Sequence, residues 1–222
     1  MTDTPTPPAA TDLAPDEVVR FWDQRHAAVG EGASGGFISL GEAGNRALYL
    51  VRLGQLLTLA GGSSPDAPVD VLDAGCGKGI FARGLAECGY RVTGFDPSES
   101  AIAVCRGKAR HREEYRVSSM VEFPGSRLFD LVYSIDVMFH IMDDDQWRAS
   151  VQRLCRLVRL GGRIALVDTD QPEGRRWAQY QKTRAGDAYR DLYRAHGIEP
   201  LGTARCGPPG YPNVFHIGRR IA

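Results

Sequence analysis

Val71-Leu72-Asp73-Ala74-Gly75-Cys76-Gly77-Lys78-Gly79 is the stretch whose reading decides the fold. A mostly apolar run (Val69, Val71, Leu72) ends in an acidic residue and enters a turn with glycine at every second position. Helical patterning then begins at Ile80 and Phe81. A strand feeding a glycine loop and a helix puts the loop at the carboxyl end of a parallel strand, where open α/β sheets bind ligands. Lacking Cβ atoms, such a loop lets a ligand lie against bare backbone. The spacing excludes one common nucleotide site and departs from another. A dinucleotide loop needs Gly-x-Gly-x-x-Gly; here the third position is Ile80 and the glycine falls one residue early, at Gly79. No Lys-Ser or Lys-Thr pair follows the glycines, which removes a P-loop.

Working outward, a second strand over Tyr90 to Phe95 ends at Asp96-Pro97-Ser98, and a helix with Ala101, Ile102, Val104 and Cys105 follows. A carboxylate at that point can accept hydrogen bonds from both hydroxyls of a ribose, and charge-assisted bonds are roughly twice as strong as neutral ones. Asp96 thus points to an adenosine, a device dehydrogenases share; an N-cap for the next helix is compatible with it. Farther on, Phe129 to Tyr133 reads as a buried strand and Ser134 to Ile141 as the turn leaving it. Trp147 to Leu160 has helical periodicity and runs into Leu160-Gly161-Gly162-Arg163-Ile164-Ala165-Leu166-Val167-Asp168.

In order and spacing, these four segments resemble the motifs of the class I S-adenosylmethionine-dependent methyltransferases. The loop is similar to that family's first motif, Phe129 to Ile141 to its post-strand-four pattern, and Leu160 to Asp168 to its turn into strand five, without the usual proline. The resemblance covers about residues 65 to 170 closely and the rest in layout only. It implies an α/β, Rossmann-like fold: a seven-stranded, mostly parallel sheet with helices on both faces. It also implies methyl transfer from S-adenosylmethionine to a small-molecule acceptor, with a hydroxyl of a secondary metabolite as the expected target. The implied cofactor shell is Asp73, Ala74, Gly75, Cys76, Gly77, Asp96, Pro97, Ser119, Met120, Ser134 and Ile135. One departure concerns the third strand, near Tyr115 to Val117. The Asp that usually follows it and binds the adenine amino group is replaced by Ser119, beside Met120.

A sulfonium methyl is already activated, so the protein has chiefly to hold the acceptor in line and exclude water. A hydroxyl acceptor gains from a general base. His140, beyond the fourth strand, is the candidate; a structural role or a cofactor contact is the alternative. His26 is a second candidate base. The acceptor pocket is expected from Trp22, Phe37, Trp177, Tyr180, Arg184 and Tyr211, with packing the favoured reading for each taken alone. Arg46 or Arg52 is placed to meet the cofactor's carboxylate, with a solvated helix face as the alternative. Asp143-Asp144-Asp145 reads as helix capping rather than a metal site, and no metal is expected. Two other classes stay open. An NAD-dependent oxidoreductase would share the loop and Asp96 but not the glycine spacing, and a member of the family can bind the cofactor without methylating.

Composition bounds the rest. A chain of 222 residues is expected to form one domain, with 1–15 a disordered tail, 16–64 a helical cap and 65–222 the core. Zero formal net charge gives no electrostatic reason to capture nucleic acid. No apolar run reaches membrane length, and Met1 to Pro15 lacks the apolar centre of a signal peptide. Five scattered cysteines read as reduced thiols of a cytoplasmic protein. Oligomeric state is not legible. Helices are expected over Asp16 to Ala28 and Gly41 to Leu59, a largely helical segment over Thr169 to Ala195, and a closing hairpin of Leu201 to Arg205 with Asn213 to Gly218.

Overall fold

The computed structural model describes residues 13–222 except 35, 37–39, 112 and 209. The chain begins with α1 (Pro15–Ala28), α2 (Glu31–Ser34), α3 (Gly41–Ala60), β1 (Asp70–Ala74), α4 (Ile80–Glu87) and β2 (Arg91–Asp96). It continues with α5 (Glu99–Lys108), β3 (Glu113–Val117), β4 (Phe129–Ser134), α6 (Asp144–Arg156) and β5 (Val158–Thr169). β6 (Arg175–Ala178), β7 (Gln181–Thr183), α7 (Gly186–Ala195), β8 (Ile198–Arg205) and β9 (Asn213–Arg220) complete it.

β1 is buried at all five positions because it lies in the middle of the sheet, with β2 and β4 parallel on either side. The full order is β3-β2-β1-β4-β5-β9-β8, and only β9 runs against its neighbours. This is the seven-stranded, mostly parallel sheet expected. Strands covered on both faces read as near-continuous apolar runs. On one face α6 and α7 pack Trp147, Val151, Leu154 and Tyr193 against Leu72, Val132, Ile164 and Leu166. On the other, Leu56 of α3, Leu85 of α4 and Ile102 of α5 pack on Val71, Val92, Leu131 and Ala165. Each such Leu or Ile, fully removed from water, contributes roughly 1.5–3 kcal/mol. From β1 the strands are added outward through β2 and β3 on one side and then through β4 and β5 on the other, so the order of winding reverses at β1 and the cleft opens above its carboxyl end.

Three expectations need correction. First, the helical cap begins earlier than expected. Pro15 takes the first position of α1, and Glu17 reaches back to accept from the Ala14 N–H at 2.8 Å. Leu13 already donates to the Gln179 carbonyl at 3.1 Å; residues 1–12 of the expected tail lie outside the described residues. Second, residues 169 to 183 are not helical. Pro172 and Gly174 break the chain there, and β6 and β7 pair as an antiparallel hairpin before α7 begins. Third, α6 ends at Arg156, not Leu160, because Val158 already pairs with Phe129. Gly162 cannot be larger: a Cβ there would come within 2.9 Å of the carbonyl oxygens of Arg159 and Asp130.

Candidate active site

The glycine loop is built from its own backbone outward. Gly75, Gly77 and Gly79 take positive φ of 76°, 50° and 73°, which L side chains adopt only at a cost. The turn is tied to the end of β2. Gly75 and Cys76 both donate to the Phe95 carbonyl, at 2.8 and 2.9 Å. Gly77 N–H donates to Asp96 Oδ2 at 2.9 Å, while Asp96 Oδ1 accepts from Ser98 N–H at 2.9 Å. Asp96 is therefore not the cap of α5; Ser98 is, accepting from Ala101 N–H at 3.1 Å. Above this loop lies a cavity of about 630 Å³.

Of the residues expected in the cofactor shell, Asp73, Gly75, Cys76, Gly77, Asp96, Pro97, Ser119, Met120 and Ile135 line that one cavity, as does His140. Ala74 and Ser134 do not line it. The Ser134 hydroxyl donates to the Ala74 carbonyl at 2.8 Å and clips β4 to β1. A side chain at Gly75 would not enter open space. Its Cβ would come within 2.6 Å of Val137, so bulk there strains the fold as well as the cleft.

Two carboxyls in the cavity are held in unusual states. Asp73 is 2% exposed and one of its oxygens has no partner among the described residues. Burial pushes its carboxyl up to about 7, against the pull of the Tyr133 hydroxyl. Burial likewise raises Asp96 to about 6, with the Ser98 and Gly77 N–H groups opposing. A buried carboxylate with an unused oxygen is a receptor for a cation or a strong donor.

α1 forms the cavity's roof. Asp23 pins it to the start of α5 by accepting from Ser98 Oγ at 2.6 Å, Ser100 N–H at 3.1 Å and Ser100 Oγ at 2.9 Å. This turns Trp22 and His26 into the cavity. The His26 ring lies 3.4 Å from where a Cβ on Gly77 would be, and burial lowers its imidazole to about 4. Lys78, not singled out from sequence, also lines the cavity and donates to the Val29 carbonyl at the end of α1.

His140 closes a short 3₁₀ turn after β4 (Met138–His140). Its Nδ1 lies 2.7 Å from the Tyr180 carbonyl, and Trp22 and Phe139 each sit 4.6 Å from its ring centroid. Burial lowers its imidazole to about 4, only partly offset by the Tyr180 carbonyl and Asp136. Of the other acceptor candidates, Tyr180 and Tyr211 line the cavity. Trp177 does not; it is 53% exposed on the β6–β7 hairpin. Arg184 turns to Asp144 and to the Ile141 and Met142 carbonyls. Phe37 lies outside the described residues.

The expected arginine contacts also change. Arg46 is exposed, and Arg52 is fully buried but committed. It forks onto Asp136 at 2.6 and 3.2 Å and donates to the Cys206 carbonyl and the Tyr211 hydroxyl, both at 2.9 Å. Asp136 is the one described non-glycine residue at positive φ, 56°. A buried fork holding a strained residue joins α3, the loop after β4 and the β8–β9 connection. Asp143 caps α6 by accepting from Gln146 N–H at 2.7 Å, as expected. Among the described residues there is no group of three metal-ligating side chains, and no helix is long and apolar enough to cross a membrane.

Residues 71–162 match the family model described as a methyltransferase domain. Over that stretch the chain is similar to S-adenosylmethionine-dependent methyltransferases. It is 36% identical over 106 residues to a ubiquinone biosynthesis O-methyltransferase of Methylobacterium, a match covering 46% of this chain and 41% of that protein. A protein of the same name from Pseudomonas paraeruginosa is 38% identical over 104 residues, 43% of this chain and 42% of its own. The match thus spans about two-fifths of these curated relatives. Among solved structures, magnesium protoporphyrin IX methyltransferase of Synechocystis with bound S-adenosylmethionine superposes with a TM-score of 0.70 at 17% identity, covering 96% of this chain and all of that one. The N1-methyltransferase for 1,6-didemethyltoxoflavin from Burkholderia thailandensis, with its substrate and S-adenosylhomocysteine, gives 0.66 at 22% identity, covering 96% and 93%. At these identities the two structures speak to the fold of this chain alone.

Proposed function

We propose that this protein carries the methyl group of S-adenosylmethionine to a hydroxyl of a small aromatic molecule, with His140 taking the proton. The observation that carries the reading is a single cavity walled at one part by Asp73, the glycine loop and Asp96, and at another by His140 and Trp22. The residues fit the cofactor. The unpartnered oxygen of Asp73 suits the cofactor's ammonium, and Asp96, whose oxygens accept one N–H each, keeps a lone pair on each for a ribose hydroxyl. Met120 and Ile135 offer apolar surface for the adenine. When bound, S-adenosylmethionine supplies an activated methyl on its sulfonium. The chain's part is to bind, orient and dehydrate. α1 through α3, residues 16–64, act as the cap, and residues 65–222 as the core that holds the cofactor. The curated relatives are named for O-methylation, which agrees with an oxygen acceptor. Five free cysteines fit a reducing, cytoplasmic setting. Calorimetric titration with S-adenosylmethionine and with NAD tests the cofactor half: saturable binding of the first alone is expected, and preference for NAD refutes it.

A further inference from the structure

His140 and Trp22 form a pair whose hydrogen-bonding capacity is unspent. A carbonyl can only accept, so the 2.7 Å contact with Tyr180 puts the imidazole proton on Nδ1 and leaves a lone pair on Nε2. The Trp22 ring stands edge-on to His140, with centroids 4.6 Å apart at 60°. Its Nε1–H is buried and has no acceptor among the described residues. An indole N–H is a donor only, and a buried donor without a partner is a free-energy debt that a ligand can settle.

We propose that Trp22 Nε1–H and His140 Nε2 together read a phenolic hydroxyl of the acceptor, and that Trp22 makes the site select oxygen over nitrogen. The inference rests on the reading of His140 as base. A hydroxyl oxygen has two lone pairs and one hydrogen. One pair accepts from Trp22, the hydrogen faces His140, and the second pair remains free. An amine nitrogen has a single pair; once that pair accepts from the indole, the nitrogen has nothing left with which to attack. In the transfer the O–H proton passes to Nε2, the oxygen–methyl bond forms, and the sulfur–methyl pair stays on sulfur. The surroundings suit a flat ring without negative charge. Tyr180 lies nearly parallel to His140 at 5.9 Å, and Phe21 stacks on Tyr180 at 5.2 Å. Three cations near His140 and Tyr211 are engaged by carboxylates, Lys182 and Arg184 by Asp144 and Arg52 by Asp136, while Lys78, in the wall beside the glycine loop, is bonded to the Val29 carbonyl.

The test uses full-length protein labelled with ¹⁵N at tryptophan and saturated with S-adenosylhomocysteine. The Trp22 indole resonance, identified by its loss in Trp22→Phe, should move downfield as catechol is added and stay in place with toluene. In turnover, Trp22→Phe should lower kcat/KM for catechol about tenfold, the scale of one hydrogen bond. The rate on o-phenylenediamine should hold or rise, and affinity for S-adenosylhomocysteine should be unchanged. An indole resonance that catechol does not move, or equal losses on catechol and the diamine, overturns the assignment while leaving the cofactor reading intact. Failure of the wild type to bind S-adenosylhomocysteine overturns both.

Discussion

Asp96→Ala is the perturbation whose size follows most directly from the geometry. Asp96 does two things at once: Oδ2 fixes Gly77 N–H and Oδ1 fixes Ser98 N–H, both at 2.9 Å. Each oxygen retains a lone pair, and Asp96 lines the cavity. Alanine removes the acceptor for the ribose hydroxyls and frees the loop that should lie beneath the cofactor. Hydrogen bonds to a charged group contribute about 1.5–3 kcal/mol each. Loss of one net bond therefore raises the dissociation constant of S-adenosylmethionine by about 10- to 150-fold. Calorimetry on the wild type and the variant measures this, with ligand-free thermal melts to show that the variant is folded. Asp96→Asn keeps one carbonyl acceptor and should fall between the two. An unchanged dissociation constant in folded Asp96→Ala would mean that the ribose lies elsewhere, and the cofactor placement would fail.

Asp73→Asn should separate binding from stability. Its folded carboxyl sits near 7, above the ordinary carboxylate value, so its stabilising contribution is present at low pH and is lost as pH rises through about 7. The amide should therefore stabilise the ligand-free protein at pH 8 by about 1–3 kcal/mol in urea titrations, while cofactor affinity falls. In the wild type the carboxyl must ionise to meet an ammonium, so affinity should weaken below pH 7 and binding at pH 6.5 should release protons, read as a buffer-dependent calorimetric enthalpy. His140→Ala should cut kcat by about 10²-fold or more with cofactor affinity intact. Because that imidazole titrates near 4, the wild-type kcat at saturating cofactor should hold level from pH 8 down to about 5, instead of falling at an ordinary His value near 6.5; a midpoint at 6.5 would show a solvated ring. Arg52→Ala strands Asp136 and should cost about 3–5 kcal/mol in chemical denaturation; a loss below 1 kcal/mol would show that the fork is not formed.

Legibility from sequence followed locality. The loop at Gly75 to Gly79, the acid at Asp96 and the central strands rest on residues whose partners are close in sequence or on apolar runs that declare themselves, whereas the seven-stranded sheet was implied only by the family resemblance. The cavity wall at Asp73, Gly75 and Asp96 was readable for that reason, and Met120 and His140 through the family resemblance. The β6–β7 hairpin was not, because Trp177 and Tyr180 have a helix-like spacing; Pro172 and Gly174 carried the better signal. Arg52 and Asp136 are 84 positions apart, and nothing in either neighbourhood announces the fork. The tautomer of His140 depends on a carbonyl 40 residues away. Its low titration point comes from burial under Trp22 and Tyr180, which only the packing of α1 and the hairpin creates.

On this reading, one cavity brings an activated methyl group to a small aromatic hydroxyl. The most direct measurement is incubation of the protein with deuteriomethyl S-adenosylmethionine and a panel of phenols, catechols and aromatic amines, with products resolved by mass and by the atom labelled. The expected result is a labelled methyl on the oxygen of a phenol or catechol, formed by the wild type and strongly reduced in Asp96→Ala and His140→Ala. Label found only on nitrogen or carbon, or cofactor that binds and stays intact with every acceptor, would contradict it.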